Sequence, residues 1–237
     1  EGEFAAAKIS SAGASAANTI DDFYLIREAK QEHDIVIVIY HGGNEYYPLP
    51  SPELQKQCRF YIDSGADTVV CHHSHVLSGH EIYNSKPIFY SLGNFFFDLP
   101  QKTSQDWHTG ILLSLDFSDE TMSFAFHPLW HSLKNISIKM LDSTDKDRIL
   151  ESISQKSSNI INSEFFSKSW AEFCKNQERQ YISLAFGLNK LERILFKLGF
   201  NPFWKVNQRR LLEMLGILAC KAHNETLEHI LWKRMGK

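Results

Sequence analysis

No uninterrupted apolar run in this sequence approaches the roughly 20 residues that a helix needs to cross a bilayer. Cysteine is scarce, and Cys58, Cys71, Cys174 and Cys220 are scattered with no C-x-x-C spacing. That excludes a dense disulfide framework and fits reduced, structural thiols. An excess of one charge is lacking too: the formal net charge of −3 gives no general case for nucleic acid as a partner. Internal repeats and low-complexity tracts are also missing. The chain opens on Glu1 rather than Met, so it gives no reading of a signal peptide. These absences leave a cytoplasmic or membrane-associated protein as the expectation.

What is present is ordinary globular material. The 237 residues, 43% hydrophobic and 22% charged, are enough for one large domain or a domain with an appendage. Up to about residue 135 the pattern alternates between helix and strand. Ile20 to Glu32 has Phe23, Ile26 and Ala29 spaced for one buried helical face. Asp34 to Tyr40 is continuous and β-branched, which suits a strand covered on both faces. Ser51 then reads as an N-cap with Pro52 at the first helical position, and this helix stops at Gly65. Ala66 to Cys71 and Pro87 to Ser91 are the next strands. Gly110 to Phe117 and Thr121 to Leu129 form a hairpin that turns at Ser118-Asp119-Glu120. Strand–helix–strand order of this kind predicts a layered α/β fold.

From Asp142 onward the strand signals stop, which predicts a helical region over 142–237. Leu184, Leu188, Leu191, Leu195 and Leu198 recur at 4-3-4-3 spacing, an apolar seam. Leu211, Leu215 and Leu218 repeat the idea beyond Gly199 and Pro202. Residues 190–237 carry ten Lys and Arg against four Glu. Such a tail is either a bundle with a solvated basic face or a surface for an anionic membrane or acidic partner.

The chemistry-bearing residues gather at strand ends, where open α/β sheets collect their ligands. His41 ends the first strand, and Gly42-Gly43 behind it let the backbone turn sharply. A lone histidine there would usually be a hydrogen-bonded core residue. His73-Ser74-His75 strengthens the case, because extended backbone points side chains two apart the same way. Nitrogen ligands of this kind suit zinc, iron or manganese. Cys71 is read as a small residue closing its strand. Glu45 suits an acid/base or substrate-positioning role; its bland alternative is a solvated loop carboxylate. Tyr46 and Tyr47 suit a pocket wall, or plain packing. Asn94, between Gly93 and three phenylalanines, would hold a water or stabilise its turn. His80, His108, His127 and His131 lack partner spacing and are read as structural.

Three segments together resemble the CapA family, named for capsule and poly-γ-glutamate synthesis. They are His41-Gly42-Gly43-Asn44-Glu45-Tyr46, then Gly65-Ala66-Asp67 leading to His72-His73-Ser74-His75-Val76, then Pro87 to Phe95. Glu1-Gly2-Glu3-Phe4 looks like a further family segment. The resemblance covers roughly residues 1 to 130. It implies the fold of calcineurin-like metallophosphoesterases, an α/β/β/α sandwich, for 1–135, with 142–237 as a helical appendage. It also implies a two-metal site faced by His41, His73 and His75. The family's other ligands lie upstream, in a Gly-Asp turn, an Asn-x-Glu segment and an Asn-His pair. None of these occurs here in a matching context, and Cys71 stands where glycine is usual. The chain therefore looks like the C-terminal part of such a protein.

The expected activity is metal-dependent hydrolysis in surface-polymer biosynthesis, needing upstream residues. The substrate would be a phosphate ester or an anionic polymer. The alternative is a non-catalytic accessory module of a capsule-assembly complex, docked through its basic helices.

Overall fold

Short-range signals account for the first elements of the computed structural model. It describes residues 12–97, 104–118, 122–132, 134, 136–200 and 205–220, with 223, 226–227, 230–231 and 234 beyond. Asn18 caps helix α1 (Thr19–Glu32), its side chain accepting the Ile20 and Asp21 N–H groups. Strand β1 (Ile37–His41) follows. Ser51 caps α2 (Pro52–Ser64), Pro52 fills the first helical position, and Gly65 at φ 124° ends the helix. Then come β2 (Thr68–His72), β3 (His80–Tyr83), β4 (Lys86–Phe89), the single turn α3 (Gln105–His108), β5 (Thr109–Asp116), β6 (Ser123–Ser132) and β7 (Ser137–Met140). Helices α4 (Ser143–Ile161), α5 (Ser163–Ala185), α6 (Lys190–Lys197) and α7 (Gln208–Ala219) follow.

Among the described residues the result is mixed α/β with two sheets. The first has order β1-β2-β4-β3, parallel except where β3 runs against β4. The second is antiparallel, β5-β6-β7. Isolated bridges Leu77–Leu92 and Gly93–Gly110 tie the segment after β4 to its surroundings. Strand β2 is buried at Thr68, Val69, Val70 and Cys71. Strand β1 is different. Two-sided cover was expected, but among the described residues it is an edge strand in which Ile37 and Ile39 are 41% and 74% exposed. Continuous β-branching reports strand propensity, not how many layers the fold provides.

Two strands carried no sequence signal. β3 hides because its alternation includes a buried carboxylate, Glu81, held by Arg59 Nε at 3.0 Å and Nη2 at 2.6 Å. The Tyr90 hydroxyl donates to the same carboxylate at 2.5 Å. Its two-residue link to β4, Asn84-Ser85, has φ of 48° and 64°, the left-handed pair that a tight hairpin requires. β7 is exposed at every position and has no apolar alternation to read. The hairpin of β5 and β6 lies where it was expected, and residues 119–121 of its turn fall outside the described residues.

Two units divide the chain, residues 1–171 and 172–237. Helix α4 therefore goes with the α/β part, later than a boundary at 135–142. It does so because Ile153 joins Leu77 and Ile111 in one apolar cluster. The Lys156 ammonium also donates to the Leu77 carbonyl at 2.9 Å, and Ser157 Oγ accepts from the His80 N–H at 2.9 Å. Gly79 allows the approach: a Cβ there would meet the Ser157 nitrogen at 2.5 Å.

The second unit contains the end of α5, then α6 and α7. Its apolar seam is not one helix. α5 ends, Gly187 turns at φ 58°, and Asn189 opens α6 through a capping box with Glu192. Leu188 is buried at 2%, while Leu184, Leu191 and Leu198 are 60%, 66% and 68% exposed. A 4-3-4-3 spacing that runs across a helix break does not define a single face. Among the described residues no helix is long and apolar enough to cross a membrane.

Candidate metal-ligand cluster

Parallel pairing sets the cluster. His41 and His72 are register partners at the carboxyl ends of β1 and β2, and the Gly42 N–H continues the ladder to the His72 carbonyl. Beyond His72 the backbone leaves the strand: His73 has φ 105° and His75 φ 59°. The extended His-x-His geometry expected from sequence is thus replaced by a turn. The Tyr46 N–H donates to the Ser74 carbonyl at 2.8 Å, and Ser74 Oγ donates to the Val76 carbonyl at 2.9 Å. These bonds lock the turn against the loop after β1.

The turn brings His73 Nδ1 to 3.1 Å from His41 Nε2. Two imidazole nitrogens on one zinc ion, at the usual bond length and tetrahedral angle, stand about 3.3 Å apart. The pair is therefore spaced to share a proton or a cation. Burial, then the neighbouring His41 and His75 rings, hold the His73 pKa below its ordinary value, and the Glu45 carboxylate opposes them. Burial and His41 likewise lower His72. Both shifts favour neutral imidazole, the form that binds metal. Glu45 itself is exposed.

His75 is held separately. Its ring centroid lies 5.7 Å from that of His73, and its Nδ1 is 2.9 Å from Asn94 Oδ1. Asn94 is 5% exposed and its Nδ2 donates to the Trp107 carbonyl at 3.0 Å. With the amide so oriented, Oδ1 must accept, so His75 carries its proton on Nδ1 and presents Nε2 as the free lone pair. Gly93 and Gly110 make this seat possible, since a Cβ on Gly93 would meet the Thr109 carbonyl at 2.6 Å.

Three participants had no sequence signal. Trp107, capped on its short helix by Ser104, is 2% exposed and lies 5.1 Å from the His75 ring and 5.2 Å from Phe97. His131, read as structural, is fully buried, with Nε2 3.0 Å from the same Trp107 carbonyl that holds Asn94. Only the fold brings Trp107 and Phe97 to His75 and His131 to the Trp107 carbonyl, because nothing in their local spacing marks them. Beside His41 and His73 a depression of about 760 Å³ opens, walled by Leu25, Val38, Ile39, Tyr40 and Tyr61. Tyr46, half exposed, stacks obliquely toward Trp107, while Tyr47 is buried and donates to Ser169 Oγ at 3.2 Å.

The donor set fits a metal in part. His41 and His73 have ligand spacing and His75 has a fixed tautomer. Among the described residues, however, no group of three or more His, Cys, Asp or Glu side chains is placed to hold one ion.

An α/β protein that collects histidines at parallel strand ends is the class that fold and cluster define. Residues 5–99 match the family described as bacterial capsule synthesis protein PGA_cap. It is similar to the PGA biosynthesis protein CapA of Bacillus subtilis, with 50% identity over 74 residues, 31% of this chain and 20% of that protein. The capsule biosynthesis protein CapA of Bacillus anthracis is 46% identical over 69 residues, 29% of this chain and 17% of that protein. An uncharacterized protein of Sinorhizobium fredii is 46% identical over 76 residues, 31% and 16% of the two lengths. The matches thus span a fifth or less of these relatives.

Proposed function

We propose that this chain carries part of the metal centre of a hydrolase acting in capsule or poly-γ-glutamate-type polymer biosynthesis. A role in capsule biosynthesis is supported by the relatives; the hydrolytic reading rests on the 3.1 Å His41–His73 nitrogen pair. His41 and His73 would hold a divalent zinc, manganese or iron ion, and His75 would add Nε2. Carboxylate and amide ligands from residues beyond the matched segment would complete a pair of ions within a metallophosphatase-type sandwich. Such metals supply Lewis-acid polarisation of an ester or amide oxygen and a nucleophile at neutral pH. Asn94 orients His75, and Glu45 at the loop tip positions the polymer or moves a proton. The substrate class is an anionic polymer or phosphate ester.

Metal binding tests this. The protein carrying the whole family domain is dialysed against zinc, manganese or iron and analysed for bound metal. About two equivalents are expected, with loss on His73→Ala while circular dichroism stays unchanged. A folded wild-type protein that retains no metal from any of the three would sink the reading. The accessory-module reading draws on Arg209 and on Leu212 and Leu215, all exposed on α7. It predicts function unharmed by His73→Ala and lost when Arg209 and Arg210 are neutralised.

A further inference from the structure

Cys58 and Cys71 are far apart in spacing logic but not in space. Cys58 lies on the face of α2 that packs on the first sheet, and Cys71 is the fourth residue of β2. Both are 0% exposed, and their sulfurs are 3.4 Å apart. A disulfide needs about 2.05 Å. The remaining distance is within reach of side-chain rotation and a small shift of the helix.

We propose that Cys58 and Cys71 form a disulfide cross-link between α2 and β2 when the chain folds under oxidising conditions. Full burial shields both sulfurs once α2 is docked, so the bond is made before docking is complete. The oxidant is a small or protein-borne disulfide. One cysteine thiolate attacks it, forms a mixed disulfide and releases the first thiol. The second cysteine attacks that mixed disulfide and releases the other thiol. Two protein thiols lose two electrons and two protons in all, and one oxidant disulfide becomes two thiols. The cross-link closes a loop between positions 13 apart. It pins β2 one residue before His72, so it stiffens the strand end from which the histidine turn departs. Whether it forms therefore records the redox state of the compartment in which folding took place.

The test begins from the full chain with Cys174→Ser and Cys220→Ser, which removes the two exposed thiols. The protein is unfolded under reductant and refolded in glutathione redox buffer or in dithiothreitol. The expected product in glutathione is a monomer lighter by two hydrogens, with no thiol labelled after denaturation. Its Tm should exceed that of the dithiothreitol sample by about 5–10 °C. Adding Cys58→Ala should abolish both differences. Two labelled thiols in glutathione-refolded protein, glutathione adducts alone, or a disulfide that lowers Tm would each overturn the proposal. If the doubly substituted chain does not refold, the unsubstituted chain is refolded and its peptides mapped by mass spectrometry. A linked Cys58–Cys71 peptide supports the proposal, and its absence overturns it.

Discussion

In the first unit even a carboxylate is enclosed: the Glu81 side chain is 3% exposed and Arg59, Tyr90 and Gln55 surround it. In the second, helix α7 has no buried residue, and Leu212, Leu215 and Leu218 are 62%, 60% and 61% exposed. Both regions show regular apolar periodicity in sequence. The contrast teaches that periodicity announces a face and leaves open what covers it. Cover comes from long-range partners such as α4 on β3 and the residues just before it, which joins residues some 80 positions apart by specific polar contacts.

The sharpest way to break the comparison is Glu81→Ala. Removing the carboxylate leaves Arg59 and the Tyr90 hydroxyl without their acceptor, and about 3 kcal/mol of stability should be lost in denaturant unfolding. Loss under 1 kcal/mol would mean that the enclosed network is no more structural than the exposed helices.

Asp67 should matter less, and its contribution should disappear at acid pH. Burial pushes its carboxyl up, but the Lys30 ammonium at 2.8 Å, the Val36 N–H at 2.9 Å and Lys86 at 3.1 Å outweigh burial and hold it below its ordinary value. A depressed folded value means stability that is complete above the unfolded pKa, near 3.9, and lost as pH falls through the folded one. Asp67→Asn should therefore cost about 1 kcal/mol at neutral pH. It should also flatten the acid limb of the stability curve; an unchanged limb would remove Asp67 from the acid transition.

The smallest effect belongs to the second unit. Leu215→Ser on α7 should shift stability by no more than about 0.5 kcal/mol. A loss several times larger would show that α7 is covered in solution and would erase the contrast.

Legibility followed the range of the signal. Ser51, Pro52 and Gly65 bounded α2 without help from the rest of the chain, because capping is local chemistry. His41 and His73 were recognisable from strand ends, yet the geometry joining them was not. It depends on the Tyr46–Ser74 backbone bond, between loops nearly thirty residues apart. β3 was lost for a related reason, since a buried Glu81 breaks the alternation that would have revealed it. The link from Asn94 to Trp107 and His131 was unreadable, because the Trp107 backbone carbonyl makes it and carbonyls leave no trace in a sequence.

The positive φ of His73 and His75 has a last consequence. Side chains with a Cβ resist such conformations by about 1–3 kcal/mol each, and glycine does not. A screen of random variants for thermal endurance alone should drift towards glycine or asparagine at these two positions. A screen for biological output should drift back to histidine. Under the proposed metal-binding role, the segment is one where robustness and usefulness pull in opposite directions.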